Sequence, residues 1–182
     1  MTYDLQNHIY DYIHPLLAYA VKEALMQVNG LGMPFEVFEG LRRPERSHDL
    51  FIQGRELQAG IWVVVDKKKI VTNADAWCSW HNFGLAVDIV LDASDKPGLQ
   101  PSWQDFVDAN KDKLNDWTML GTMGMAQGLA WGGSRKPDGT PVFGIIDVPH
   151  FQLTRGLDIK TAKQIVDQQG MPALWKYIDE AA

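Results

Sequence analysis

Four residues of this chain have the types and spacing to hold a divalent metal and to run a hydrolysis beside it. They lie in two short segments, Ser79-Trp80-His81-Asn82-Phe83-Gly84-Leu85-Ala86-Val87-Asp88 and Asp147-Val148-Pro149-His150-Phe151. Two imidazoles and one carboxylate, from His81, His150 and Asp88, make a three-ligand zinc set with a fourth position left for water. A divalent ion with a single anionic ligand keeps net positive charge, so it can acidify that water and polarise a carbonyl. Hydrolysis then needs one further carboxylate, free of the metal, to accept a proton and return it, and Asp147 is placed for that role. The lone Cys78 excludes an intramolecular disulfide and a cysteine-based zinc knuckle. Any metal ligands must therefore come from His, Asp and Glu.

The local patterns must bring these groups together. After Gly84, the residues Leu85, Val87, Ile89 and Leu91 form one apolar strand face, which puts Asp88 on the other face between Ala86 and Val90. His81 stands at an odd offset from Asp88, so a continuous strand would turn the two apart; a turn at Asn82-Phe83-Gly84 removes that objection. Taken alone, the pair fits a core histidine hydrogen-bonded to Asp88 as well as it fits two ligands. Asp147 and His150 are three apart and would also diverge on a regular strand, but Pro149 cannot donate a ladder hydrogen bond and bends the chain.

Around these segments the sequence describes one domain. A chain of 182 residues with 46% hydrophobic and 22% charged residues has the size and balance of a single core. No repeat, low-complexity stretch or linker divides it. A helix is expected over residues 15–28, with Pro15 in its first turn and Asn29-Gly30 as its stop, then a strand over 35–39 and a helix from Pro44 to about Phe51. Strands over 61–65 and 70–72 would flank a solvated hairpin turn at Lys67-Lys68-Lys69. Ser102 can cap a helix over 103–113, with Asp105 in the capping-box place. Another helix begins after Asn115 and passes Trp117 and Leu120, where Gly121, Gly124 and Gly128 each cost about 1 kcal/mol unless something packs closely there. A short strand over 142–146 leads into Asp147, and the tail reads as two short helices broken at Gly170-Met171-Pro172. Strands grouped among helices without regular alternation indicate an α+β fold.

A net charge of −6 argues against a nucleic-acid partner. No apolar run reaches the ~18 residues of a membrane span, and residues 1–12 lack the pattern of a cleaved secretory signal. Synthesis in the cytoplasm and no membrane insertion are the expectations.

The pattern Ser-x-His-x-x-Gly-x-Ala-x-Asp, followed by Asp-x-Pro-His-Phe, resembles the peptidoglycan peptidases related to D-Ala-D-Ala carboxypeptidases, and within them the phage endolysins that act as L-alanyl-D-glutamate peptidases. Glu39-Gly40-Leu41-Arg42, Pro44-Glu45-Arg46, Leu50-Phe51-Ile52-Gln53-Gly54-Arg55, Val71-Thr72-Asn73-Ala74 and Gly128-Leu129-Ala130-Trp131-Gly132-Gly133 also read as text of that family. The resemblance covers about residues 15–153 and leaves a helical extension, 156–182, within one domain of 1–182. It implies a small antiparallel sheet flanked by helices, of the hedgehog and D-Ala-D-Ala-peptidase kind. It assigns Zn2+ to His81, Asp88 and His150, proton transfer to Asp147, oxyanion and substrate contact to Arg42, and substrate contact to Ser79 and Ser47. At the position of Ser47 many members carry Gln.

The activity so implied is hydrolysis of the L-Ala–D-Glu bond in the murein stem peptide by a monomer, made in the host cytoplasm and released to the cell wall. Two rivals follow from the same resemblance. One is a D-Ala-D-Ala carboxypeptidase; the other is a zinc-containing binding module without catalysis, against which the intact Asp147 speaks. Should Asp147 not serve, Glu39 is the next carboxylate.

Overall fold

The computed structural model describes residues 9–92, 99–104 and 106–181. Its first half contains α1 (Pro15–Gly30), β1 (Phe35–Glu39), α2 (Pro44–Phe51), β2 (Arg55–Gln58), β3 (Ile61–Val64) and β4 (Ala86–Asp92). The second half adds β5 (Pro101–Ser102), α3 (Asp116–Ala126), β6 (Ala130–Trp131), β7 (His150–Gln152), α4 (Ile159–Gln169) and α5 (Met171–Glu180). One sheet runs in the order β1-β4-β7-β6, with β5 beside the end of β4, and every pairing in it is antiparallel. Helices flank this sheet, so the α+β expectation holds.

The sheet's centre is β4, whose residues Ala86, Val87, Ile89, Val90 and Leu91 are buried. It is therefore covered on both faces, and Asp88 is the polar break in an apolar run. Its register decides the site, because Asp88 stands opposite His150 on β7 and opposite Glu39 on β1. The second pairing depends on an irregularity. Val37 pairs with Ile89, then the register slips so that Glu39 rather than Phe38 meets Asp88. A bulge of this kind re-aims one side chain at the cost of local pairing.

Helix α1 buries Leu17, Ala18, Ala20, Val21, Ala24, Leu25 and Val28, a stripe at helical spacing that packs on α3 and β1. Its N-cap is His14, fully buried, whose Nδ1 accepts from the Leu16 amide at 3.2 Å while Nε2 lies 3.1 Å from the Trp175 carbonyl. Leu174 and Ile178 of α5 belong to the same core as α1 and the sheet. Trp175 also donates its indole N–H to the Phe83 carbonyl at 2.9 Å. The C-terminal helices thus brace the turn at Trp80–Phe83 that carries His81.

Two of the α3 glycines have their reason in the core. A Cβ on Gly124 would come within 2.6 Å of Phe151, and one on Gly121 would collide with the Trp131 ring. Phe151 and Trp131 stack with ring centroids 6.3 Å apart, so the glycine face lets the helix close on two large aromatics.

Several expected elements differ. The hairpin is β2–β3, turned by Ala59 and Gly60, both at positive φ, as two-residue hairpin turns require. Lys67–Lys69 is instead one 3-10 turn, capped by the Asp66 carboxylate accepting from the Lys68 amide, and residues 70–72 form no strand. No strand forms over 142–146 either, where Gly144 takes a left-handed φ and Val142, Ile145 and Ile146 are exposed. The helix expected over 103–113 is replaced by turns, because Asp and Asn side chains there bond to nearby amides and compete with helical pairing. Asp105, its expected capping-box residue, lies outside the described residues.

Candidate active site

His81, Asp88 and His150 come from three separate pieces of chain and converge on one point. The 3-10 turn before β4 places His81, with the Ser79 hydroxyl accepting from the His81 amide at 3.4 Å and Gly84 closing the turn at φ 66°. β4 supplies Asp88, and β7 supplies His150 as its cross-strand partner. His81 Nε2 and His150 Nδ1 each lie 3.2 Å from Asp88 Oδ1 and 3.3 Å from one another. Ligands about 2.0–2.1 Å from a tetrahedral metal stand about 3.3–3.4 Å apart, so the triangle has the right size.

The outer nitrogens decide which atoms are free to ligate. His81 Nδ1 is 2.8 Å from the Gly40 carbonyl, and His150 Nε2 is 3.0 Å from Gln152 Oε1. Both partners are oxygen acceptors, so both outer nitrogens carry the proton and donate it. The inner nitrogens then present lone pairs toward each other and toward a carboxylate oxygen. Only a cation or an added proton relieves that repulsion, and the donor set fits a divalent metal.

Charge around the triad is balanced by Arg42. Its Nε donates to Glu39 Oε2 at 2.8 Å, its terminal nitrogen also reaches that oxygen, and the same nitrogen donates to Asp88 Oδ2 at 3.1 Å. One Asp88 oxygen therefore faces the imidazoles while the other is held by the guanidinium. Burial alone would raise the Asp88 carboxyl, yet His81 and His150 hold it well below the usual carboxylate range.

Asp147 shares the cleft without joining the triad. Its amide donates to the Gly132 carbonyl at 3.0 Å, Gly132 donates to the His150 carbonyl at 2.8 Å, and Trp131 donates its indole N–H to the Val148 carbonyl at 2.8 Å. These bonds lace the bend at Pro149 to the end of β6. Burial, reinforced by the charge of Asp88, pushes the Asp147 carboxyl above its ordinary value despite His150, His81 and Arg42. A carboxylate raised toward neutral pH both accepts and releases a proton readily.

Residues 72–153 match the family model described as D-alanyl-D-alanine carboxypeptidase. That segment is a little under half of the chain. It contains the whole triad and Asp147, in agreement with the resemblance read from the motifs. The chain is also 26% identical over 141 residues to the peptidoglycan L-alanyl-D-glutamate endopeptidase CwlK of Bacillus subtilis, covering 78% of this chain and 73% of that protein. Among solved structures, the L-Ala D-Glu endopeptidase ChiX of Serratia marcescens matches 85% of this chain and 89% of its own at 23% identity, with a TM-score of 0.48.

The peptidase cleft has a volume of about 780 Å³ and is lined by all three triad residues, Asp147, Arg42, Arg46, Ser79 and Cys78. Ser79 is thus on the cleft wall. Ser47 is not, because it is fully buried and its hydroxyl accepts from the Asn82 amide group at 2.8 Å. That bond, with another from Asn82 to the Arg42 carbonyl at 2.9 Å, ties α2 to the His81 turn. Arg42 lines the cleft; its Nε and one terminal nitrogen are engaged by Glu39 and Asp88, so it orients the Asp88 ligand while its other terminal nitrogen is not used in these bonds. Glu39 is held in the same ion pair.

Gln152 was not singled out from sequence, although its position two residues after His150 on a strand puts both on one face. Phe38 and Trp103, edge to face at 5.0 Å, line the cleft as well. They come from β1 and from the chain after β5, and no sequence signal joins them.

Proposed function

We propose that this chain is a zinc-dependent endopeptidase that hydrolyses the L-Ala–D-Glu bond of the peptidoglycan stem peptide. The observation that carries it is the triad with both inner nitrogens free, beside a raised carboxylate that is not part of it. The bond itself comes from the names of the relatives and from the endolysin-like text around Arg42 and Trp131. A zinc ion held by His81, Asp88 and His150 would supply Lewis acidity toward the scissile carbonyl and the attacking water. Asp147 takes the proton of that water and passes it to the leaving amine. Gly40 and Gln152 hold the two imidazoles in the ligating tautomer, and Arg42 fixes the carboxylate between them. A phage-lysis setting fits this reading, with synthesis in the host cytoplasm and action on the wall after release.

A terminal carboxypeptidase needs a cation to hold the substrate's carboxylate. Arg42 has two of its three nitrogens committed to carboxylates, and Arg46 is a second cation on the cleft wall for such a clamp. The test is digestion of a muramyl pentapeptide by zinc-loaded enzyme, with the new termini identified by mass spectrometry and the metal content measured alongside. A released peptide with D-Glu at its N-terminus is expected, with about one zinc per chain. Free D-Ala with an intact L-Ala–D-Glu bond would replace this reading with the carboxypeptidase.

A further inference from the structure

The turns that replace the expected helix before α3 gather a second group of acidic side chains, far along the chain from the triad. Asp108, Asn110 and Asp112 alternate, and Asp116 opens α3. Asp108 Oδ2 accepts from the Lys113 amide at 3.1 Å, Asp112 Oδ1 from the Leu114 amide at 2.8 Å, and Asp116 Oδ2 from the Ala109 amide at 2.7 Å. Carboxylate oxygens of Asp108, Asp112 and Asp116 lie within 4.8 Å of one another. Like charges at that spacing repel unless something positive sits among them.

Two of these carboxylates also carry a buried oxygen that no donor satisfies. Asp116 is only 1% exposed, and its Oδ1 is buried with no hydrogen-bond partner among the described residues. Asp108 Oδ1 is also buried without a partner. Each of these two carboxylates has one oxygen satisfied by the loop backbone and one without a partner among the described residues.

We infer that the loop from Asp108 to Asp116 is a binding site for a calcium ion. The donors are all hard oxygens, with no nitrogen or sulfur, which selects against zinc. Two oxygens about 2.4 Å from one calcium ion stand at most about 4.8 Å apart, the span the three carboxylates occupy. The spacing of Asp108, Asn110 and Asp112 is that of the first three ligands in an EF-hand loop, and Lys113 holds the positive φ that such loops give to a glycine. The bidentate glutamate that ends an EF-hand loop is absent here, where Met119 stands, so binding is at the weak end of the range. The ion would fasten the loop to the first turn of α3. That helix carries Trp117, packed on Phe35 with centroids 4.9 Å apart, and the glycine face that seats Phe151 next to His150. The site is independent of the peptidase reading and stands or falls without it.

The test uses the whole zinc-loaded protein in calcium-free buffer, titrated with calcium chloride by calorimetry and followed by thermal unfolding. One calcium per chain is expected, with Kd about 10⁻⁵–10⁻³ M, and a rise in Tm at millimolar calcium. Asp112 is exposed, so Asp112→Asn should fold normally, keep its zinc and bind calcium about tenfold or more weakly. Asp108→Asn, which keeps an acceptor for the Lys113 amide, should do the same. No heat and no Tm shift with wild-type protein would overturn the inference. So would unchanged calcium binding in both variants, or an equal effect of magnesium.

Discussion

Replacing Gly132 by alanine should disable the enzyme without touching any group that does chemistry. Gly132 does not adopt a positive φ, so backbone preference alone makes the change favourable, by about 0.4–1 kcal/mol through the unfolded chain. Packing opposes it. A Cβ on Gly132 would lie 3.1 Å from the carbonyl carbon of Asp147 and 3.2 Å from its Cβ, and would overlap its carbonyl oxygen. The obstacle is backbone, which cannot rotate aside, and it is fixed by hydrogen bonds in both directions between Gly132 and the 147–150 bend. Relief takes a displacement on the order of 1 Å. Overpacking of this kind costs about 1–3 kcal/mol, so the net loss at mid-range is about 1.3 kcal/mol, or about 3–5 °C in Tm for a chain of this length. The same displacement moves the Asp147 carboxylate, and a misplacement of about 1 Å at a reacting centre costs about 10²-fold in rate. Thermal unfolding and turnover of muramyl peptide would be measured for Gly132→Ala, with Gly30→Ala as control because nothing lies within 4 Å of a Cβ there. Wild-type Tm and rate in Gly132→Ala would refute the reasoning.

Two further substitutions separate proton transfer from metal binding. Asp147→Asn keeps the shape but not the proton acceptor, so it should retain its metal while turnover falls about 10²–10⁴-fold; near-normal hydrolysis by the metal-loaded variant would move the role to another carboxylate. Gln152→Leu removes the oxygen that holds the His150 tautomer, and it should weaken metal affinity about 10–100-fold in a competition titration, with unchanged affinity showing that Gln152 does not orient the ligand.

The readable part of the site was whatever a short segment encodes by itself. The turn ending at Gly84 and the alternation from Leu85 to Leu91 fix where His81 and Asp88 must point, and the Pro149 bend does the same for Asp147 and His150. Helix α1 was equally legible, since its apolar stripe and its proline and glycine ends are all local signals. The misjudged segments are those where local and tertiary demands part. Residues 106–115 have a sequence that tolerates a helix, but each Asp or Asn finds a nearer amide, and the chain closes into turns instead. Val142, Ile145 and Ile146 have the composition of a strand yet no partner edge, and they end exposed.

The role of Arg42 belongs to neither class, because it depends on a pairing between strands. A regular β1 would set Phe38 opposite Asp88; the slip after Val37 sets Glu39 there. That shift alone creates the row of Glu39, Asp88 and His150 across three strands, and it is Glu39 that draws the Arg42 guanidinium over the second oxygen of Asp88. An arginine that the motif presents as a free cation is thereby turned into part of the ligand's support. The sequence motif names the residues of such a site, but the register of the sheet decides which of them face the substrate and which hold the others in place.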